Sequence, residues 1–200
     1  VSDTLRSVIK DGKIDLSNVG LDENEIREIR HIIIVACGSA WHVGVSCQYI
    51  IEDLTDISVR VELASEFRYR KMKFQENTLV IVISQSGETA DTLAALRLAK
   101  EHKVRTLAIV NVVGSSIVRE ADLVLYTLAG PEIAVATTKA YSSQLIAGYC
   151  LAVQFGYLRG TIAQNTYDYY IEELQKIPSK IEKLLEEKER IQWFAAKYAN

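Results

Sequence analysis

The chain is poor in the residues that would place it outside the ordinary globular class. It has two prolines and ten glycines in 200 residues, too few for a collagen-like or disordered polymer. Its three cysteines, Cys37, Cys47 and Cys150, are odd in number and show no CxxC spacing. That argues against a disulfide framework or a thiolate zinc site and fits a reducing, cytoplasmic setting. No apolar run approaches the ~20 residues that a membrane-crossing helix needs; the longest candidate, residues 31–37, is strand-sized. No signal peptide is visible. A basic excess is missing too, with 23 Lys and Arg against 26 Asp and Glu and a net charge of −3, which speaks against a nucleic-acid partner. What is present, 48% hydrophobic and 24% charged residues, is the balance of a soluble globular protein, and the length suits one fairly large domain.

Strand and helix signals alternate through the middle of the sequence. Residues 32–37, 78–84 and 106–111 are continuous apolar runs, 58–63 alternates apolar and polar residues, and 122–127 is a weaker fifth strand. Strands apolar at every position are buried on both faces, which marks a parallel sheet covered by helices. Between them, residues 40–54 put Val43, Cys47, Ile50, Ile51 and Leu54 on one stripe, and residues 89–100 do the same with Leu93, Leu96 and Ala99. A short helix fits 116–120 and a longer one 138–155. The expected class is α/β: a three-layer α/β/α sandwich with a five-stranded parallel sheet, built from right-handed βαβ units.

The ends read differently. Residues 1–29 form a polar, mostly helical lead-in with DGKID (11–15) as a turn, 30–160 the central domain, and 161–200 an extension. The extension reads as two amphipathic helices, 165–177 and 178–199, with Pro178 in the first turn of the second, where a missing N–H is tolerated. A chain that opens on Val1 and closes within a helical pattern reads as a piece of a larger protein. Its terminal helices are expected to pack on a neighbour. Ile171, Leu174, Ile177, Ile181, Leu184, Leu185, Trp193 and Phe194 need a partner surface, so self-association is expected.

In an open parallel sheet, ligands bind beyond the carboxyl ends of the strands, where strand order reverses. Two loops leave such ends with glycine and short polar residues: Cys37-Gly38-Ser39-Ala40 and Ser84-Gln85-Ser86-Gly87-Glu88-Thr89. In the flavodoxin-like order 2-1-3-4-5, both face one crevice. Helix N-termini favour anions through free N–H groups and a partial positive charge. Ser84, Ser86 and Thr89 add hydroxyls and Gln85 an amide, so the second loop suits a phosphate held without Lys or Arg. Ser86 or Thr89 simply capping the helix is the competing reading. Glu88 would repel a phosphate and should point away. Neither GxxxxGK[ST] nor GxGxxG is present, so a nucleotide loses support.

These residues, in this order, resemble the SIS (sugar isomerase) domain, and more narrowly the first SIS domain of the glutamine–fructose-6-phosphate aminotransferase family. The matching stretches are ACGSAWHVG (36–44), VELASEFRYR (61–70), ISQSGETADTLAALRLAK (83–100), NVVGSSIVREAD (111–122) and GPEIAVATTKAY (130–141). The resemblance implies the flavodoxin-like SIS fold and a parent enzyme that joins a glutaminase domain to two SIS domains. That enzyme makes glucosamine 6-phosphate from fructose 6-phosphate and glutamine-derived ammonia, for amino-sugar synthesis, with no cofactor. It further implies that this domain supplies the phosphate cradle, here Ser39, Ser84, Gln85, Ser86 and Thr89, while Val135 and Thr137 border the sugar. No catalytic residue falls in this chain on that reading. The isomerisation base and its partners belong to the missing second SIS domain. A non-catalytic sugar-phosphate sensor is the alternative, since SIS domains also serve in regulators.

The chain departs from the family at Ala40, often Ser, whose contact would be through the backbone, and at Thr137, also often Ser. Other candidates have plainer readings. Lys139 suits structural pairing better than a Schiff base, and Glu132 orients the sugar loop rather than moving protons. His31, His42 and His102 are structural or solvent-facing. Cys37 lacks the positive neighbour a thiolate needs. Arg68 and Arg70 could reach a phosphate, but pairing with Glu62 or Glu66 is the plainer reading.

Overall fold

The computed structural model describes residues 1–133 and 137–198. The lead-in is less helical than its polarity suggests. After α1 (Ser2–Val8) the chain forms a tight hairpin, β1 (Ile9–Lys10) paired with β2 (Lys13–Ile14). Asp11 and Gly12 close it with φ of 49° and 71°. Positive φ at both central positions is the type I′ geometry that Asp-Gly favours. A 3-10 turn and α2 (Glu23–Glu28) follow. Asp22 and Glu25 form a reciprocal capping box on α2, which satisfies donors the first turn would otherwise leave free. Nor does this segment wait for an absent neighbour. Leu5, Val8, Ile14, Leu16, Val19, Leu21, Ile26 and Ile29 are buried in the same core as the sheet.

Five strands form one parallel sheet: β3 (His31–Ala36), β4 (Ser58–Leu63), β5 (Thr78–Ser84), β6 (Arg105–Val110) and β7 (Leu123–Tyr126), in the order β4-β3-β5-β6-β7. Counting from β3, that is 2-1-3-4-5, with the reversal between β3 and β5. Alternate residues serve opposite faces, as the pleat requires. Ile32, Ile34, Leu79, Ile81, Ile83, Leu107 and Ile109 enter one core, Ile33, Val35, Val80, Val82, Ala108 and Val110 the other. The first core is covered by α3 (Gly38–Leu54) and α7 (Lys139–Arg159), the second by α4 (Ala64–Phe67), α5 (Ala90–Glu101) and α6 (Ser116–Glu120). The three-layer sandwich read from the sequence is the fold. Helices α3 and α7 pack closely enough that a Cβ on Gly148 would lie 2.1 Å from Cys47 Sγ. Burial pushes the Cys47 and Cys150 thiols up to about 12, so they act as small core side chains.

The C-terminal expectation needs a correction. A single helix, α8 (Gln164–Glu186), runs through Pro178, and the break falls at Glu187, before α9 (Lys188–Lys197). An interior proline forfeits a backbone hydrogen bond. Surface bonds brace this turn: Glu173 accepts from Lys176 at 2.8 Å and Lys180 at 2.7 Å, and the Ser179 hydroxyl donates to the Lys176 carbonyl at 2.9 Å. Tyr167, Ile171 and Leu174 bury the first half of α8, whereas Leu184, Leu185, Ile191, Trp193 and Phe194 are exposed.

Candidate functional site

Because β3 and β5 are hydrogen-bonded neighbours in the register Ala36↔Ile83, the chain leaves both strands side by side at the carboxyl edge. Each strand leads into a helix whose first turn faces that edge. Ser39 lies exposed in the first turn of α3, behind Gly38. Ser84 ends β5 and is buried, Gln85 and Ser86 are half-buried, and Thr89 immediately precedes α5. Neither α3 nor α5 has a side-chain cap. The first-turn N–H groups of both helices therefore have no capping side chain.

Inside the 84–89 loop, Ser84 is the organiser. Its hydroxyl accepts the Gly87 N–H at 3.0 Å and shares a 3.1 Å hydrogen bond with the Thr89 hydroxyl. Thr89 occupies the N-cap position of α5, yet its side chain bonds Ser84 instead of capping. Ser86 accepts the Glu88 N–H at 3.2 Å, within the loop. The plain capping reading of these hydroxyls thus fails. Gly87 is required twice over: its φ is +68°, and a Cβ there would lie 2.0 Å from Ser115 Oγ.

Glu88 turns away from the crevice. Its carboxylate accepts the Ser116 N–H at 2.8 Å, while the Ile117 N–H donates to the Gly87 carbonyl at 3.0 Å. The N-terminus of α6 thus latches the loop from behind. Hydrogen bonding from Ser116, with Arg119 nearby, holds the Glu88 carboxyl below the usual carboxylate range. Sequence reasoning anticipated the direction in which Glu88 points but not the residue that receives it.

Asn111, just past β6, was missed. Its N–H donates to the Gln85 carbonyl at 3.2 Å. Its side chain donates to the Gly130 carbonyl at 2.8 Å and accepts the Ala129 N–H at 2.7 Å and the Thr127 hydroxyl at 3.2 Å. One buried amide therefore joins the loop after β5 to the loop after β7. The available signal was a polar residue ending an apolar strand. Further along, Glu132 accepts the Thr137 hydroxyl at 2.9 Å and the Ala140 N–H at 3.3 Å. These bonds tie Thr137 to the start of α7 and hold the Glu132 carboxyl low, the Thr137 hydroxyl foremost. Val135 lies outside the described residues.

The remaining candidates have local duties. The His31 ring bonds the Ser58 hydroxyl at 2.7 Å, His42 meets Trp41 edge-on, and His102 leans on Phe74. Lys139 is exposed at the start of α7. Arg70 pairs with Glu62 as anticipated, at 2.7 Å, but Arg68 pairs with Asp91 in the first turn of α5, also at 2.7 Å. Among the described residues, no group of three or more His, Cys, Asp or Glu is placed to hold a metal ion, and no helix is long and apolar enough to cross a membrane.

Comparison with known proteins bears on this geometry directly. The SIS domain family matches residues 25–154. The chain is 52% identical, over a 201-residue alignment that takes in all of it, to a glutamine–fructose-6-phosphate aminotransferase [isomerizing] of Caldanaerobacter subterraneus subsp. tengcongensis, of which it covers 33%. It is likewise 52% identical over 198 residues, 98% of the chain and 33% of the relative, to the protein of the same name in Clostridium tetani. The chain thus spans about a third of the length of the curated relatives it matches. Among solved structures, the C-terminal domain of glucosamine-fructose-6-phosphate aminotransferase from Francisella tularensis superposes with a TM-score of 0.91 at 36% identity, over 96% of this chain and 54% of that one. Sheet order, the paired loops at the strand reversal and the matched residues agree, and the chain belongs to the SIS domain family.

Proposed function

We propose that this chain is the sugar-phosphate-holding SIS domain of an isomerizing glutamine–fructose-6-phosphate aminotransferase, and that it grips fructose 6-phosphate and glucosamine 6-phosphate by their phosphate. The observation that carries this reading is the pair of uncapped helix N-termini, α3 and α5, opening side by side where strand order reverses. Free N–H groups and aligned peptide dipoles attract an anion there without any Lys or Arg. Ser39, Ser84, Gln85, Ser86 and Thr89 complete the cradle. The Ser84 hydroxyl accepts the Gly87 N–H and so retains a proton to give to Thr89 or to the ligand. Thr137, held by Glu132, and Val135 border the sugar.

The same geometry divides the labour of the parent enzyme. Proton transfer between sugar carbons needs a base within hydrogen-bond reach. Three carboxylates on or beside these loops are already engaged: Glu88 by Ser116, Asp91 by Arg68, and Glu132 by Thr137 and Ala140. The base, its partners and the glutaminase chemistry are assigned to the second SIS domain and the glutaminase domain of the same polypeptide. Residues 30–160 form the SIS domain proper, 1–29 its lead-in and 161–200 its link onward. The parent works in the cytoplasm as a homodimer.

The test is calorimetric titration with fructose 6-phosphate, paired with an isomerase assay on the same sample. The chain binds and does not turn over. Ser86→Ala and Thr89→Val each weaken binding, by about 0.5–1.5 kcal/mol for a neutral hydrogen bond and up to ~3 when the acceptor is charged. Inorganic phosphate competes. Binding untouched by both substitutions overturns the reading, as does turnover by this chain alone.

A further inference from the structure

An anion site built on a helix N-terminus is weakened by any free carboxylate in the same turn, and α5 carries one. Asp91 is the second residue of that helix. Glu88, the other acidic residue of the segment, is removed by its bond to Ser116. Asp91 has no such outlet toward α6. Its carboxylate instead meets the Arg68 guanidinium at 2.7 Å. Arg68 immediately follows α4, which packs beside α5 in the same layer. The edge strand β4 feeds α4 at its carboxyl end, so Arg68 is delivered to the same edge of the sheet as the 84–89 loop. Its guanidinium carbon lies over the Tyr69 ring, 4.9 Å from the ring centroid. Both charges are partly open to solvent, with side-chain exposures of 33% and 39%. The pair therefore contributes little to folding, and its placement calls for another account.

We propose that Arg68 is a positioning residue for the phosphate site: by neutralising Asp91 it keeps the N-terminal pole of α5 attractive to a doubly charged phosphate. This rests on the sugar-phosphate reading above and deepens it. Asp91 in turn holds Arg68 beside the anion without placing the guanidinium in the neutral cradle. Removing the cation alone leaves a carboxylate facing the ligand's charge. Removing both charges restores a neutral turn. A merely mechanical tie between α4 and α5 behaves in the opposite way, since losing the second partner cannot repair it.

The experiment uses the full-length protein with Arg68→Ala, Asp91→Asn, the double substitution and Arg68→Lys, titrated with fructose 6-phosphate and with inorganic phosphate. Arg68→Ala weakens both ligands roughly three- to tenfold, the scale of one screened like-charge repulsion at short range, and the deficit shrinks in high salt. Asp91→Asn binds no worse than the wild type. The double variant recovers to within about twofold of wild type, and Arg68→Lys keeps most of the affinity because it keeps the charge. A double variant as weak as Arg68→Ala overturns the proposal and assigns Arg68 a direct phosphate contact or a purely mechanical tie. Unchanged binding by Arg68→Ala overturns it as well. Wild-type protein that binds neither ligand overturns the sugar-phosphate reading itself, and the two failures are told apart by that control.

Discussion

The two edges of the sheet treat their polar groups differently. At the amino edge several ends are closed by charged side chains. Asp122, just ahead of β7, accepts the Thr106 N–H and hydroxyl at 2.9 and 2.7 Å and pairs with Lys100 at 2.5 Å. Arg159, ending α7 with its side chain only 3% exposed, donates to the carbonyls of Ile26, Arg27 and Ile29 and pairs with Asp56. Asp22 and Glu25 seal α2. At the carboxyl edge, α3 and α5 begin without side-chain caps, and the nearby carboxylates are drawn off to other partners. Satisfied donors hold a fold together, while unsatisfied ones are what a ligand can use. One edge holds the fold together, and the other carries the proposed phosphate site.

That contrast is broken most severely at Arg159. Arg159→Met keeps the apolar stem but removes the donors to three backbone carbonyls, and should cost about 3 kcal/mol of stability. Chemical denaturation measures the loss, and the folded variant should still bind sugar phosphate with wild-type affinity. Gly87→Ala tests the opposite edge. It forces a side chain to a φ of +68° and into Ser115, costing on the order of 1–3 kcal/mol of strain. Here calorimetry should find phosphate binding abolished while most of the fold survives. Equal binding losses in the two variants would mean that the edges are not separable.

The contrast was only half legible in the sequence. Strands 58–63 and 78–84 are legible to the residue: 78–84 because a run apolar throughout has no other home than a covered parallel sheet, 58–63 because its alternation is that of a strand with one open face. The 84–89 loop stood out because four hydrogen-bonding side chains and a glycine follow directly on such a run. What stayed hidden were bonds between segments far apart in sequence. The polar end of an apolar strand marks Asn111 out but does not say which loops it joins, and Arg68 sits two residues from Glu66 yet pairs with Asp91. Pro178 misled for a different reason. Helix-breaking chemistry is a local preference: the proline forfeits a backbone hydrogen bond, yet α8 runs on through it to Glu186. Asp-Gly at 11–12 was read as a turn, though the short strands around it make it a hairpin. Val135 lies outside the described residues.

A smaller effect sharpens the amino edge further. Asp22→Ala removes the acceptor for the N–H groups of Asn24 and Glu25. The loss of an N-cap costs about 1 kcal/mol. Thermal melting should report it as a modest shift, with phosphate affinity unmoved, because α2 lies at the edge opposite the proposed phosphate site.

The smallest effect is also the most specific to charge, and it concerns Asp122. Burial pushes its carboxyl up, but Lys100 and the Thr106 hydroxyl and N–H outweigh burial and hold it below the ordinary value. A carboxyl depressed in the folded state adds stability above the unfolded value of about 3.9, and loses that contribution as pH falls through the folded value. Asn in its place can still accept from Thr106 but cannot attract Lys100 or titrate. The stability gap between wild type and Asp122→Asn should therefore be widest near neutral pH and close below about pH 4. Urea midpoints of both proteins, taken from pH 7 down to pH 3, would show that convergence. A gap constant across the range would mean that the charge facing Lys100 is not what Asp122 contributes to the amino edge.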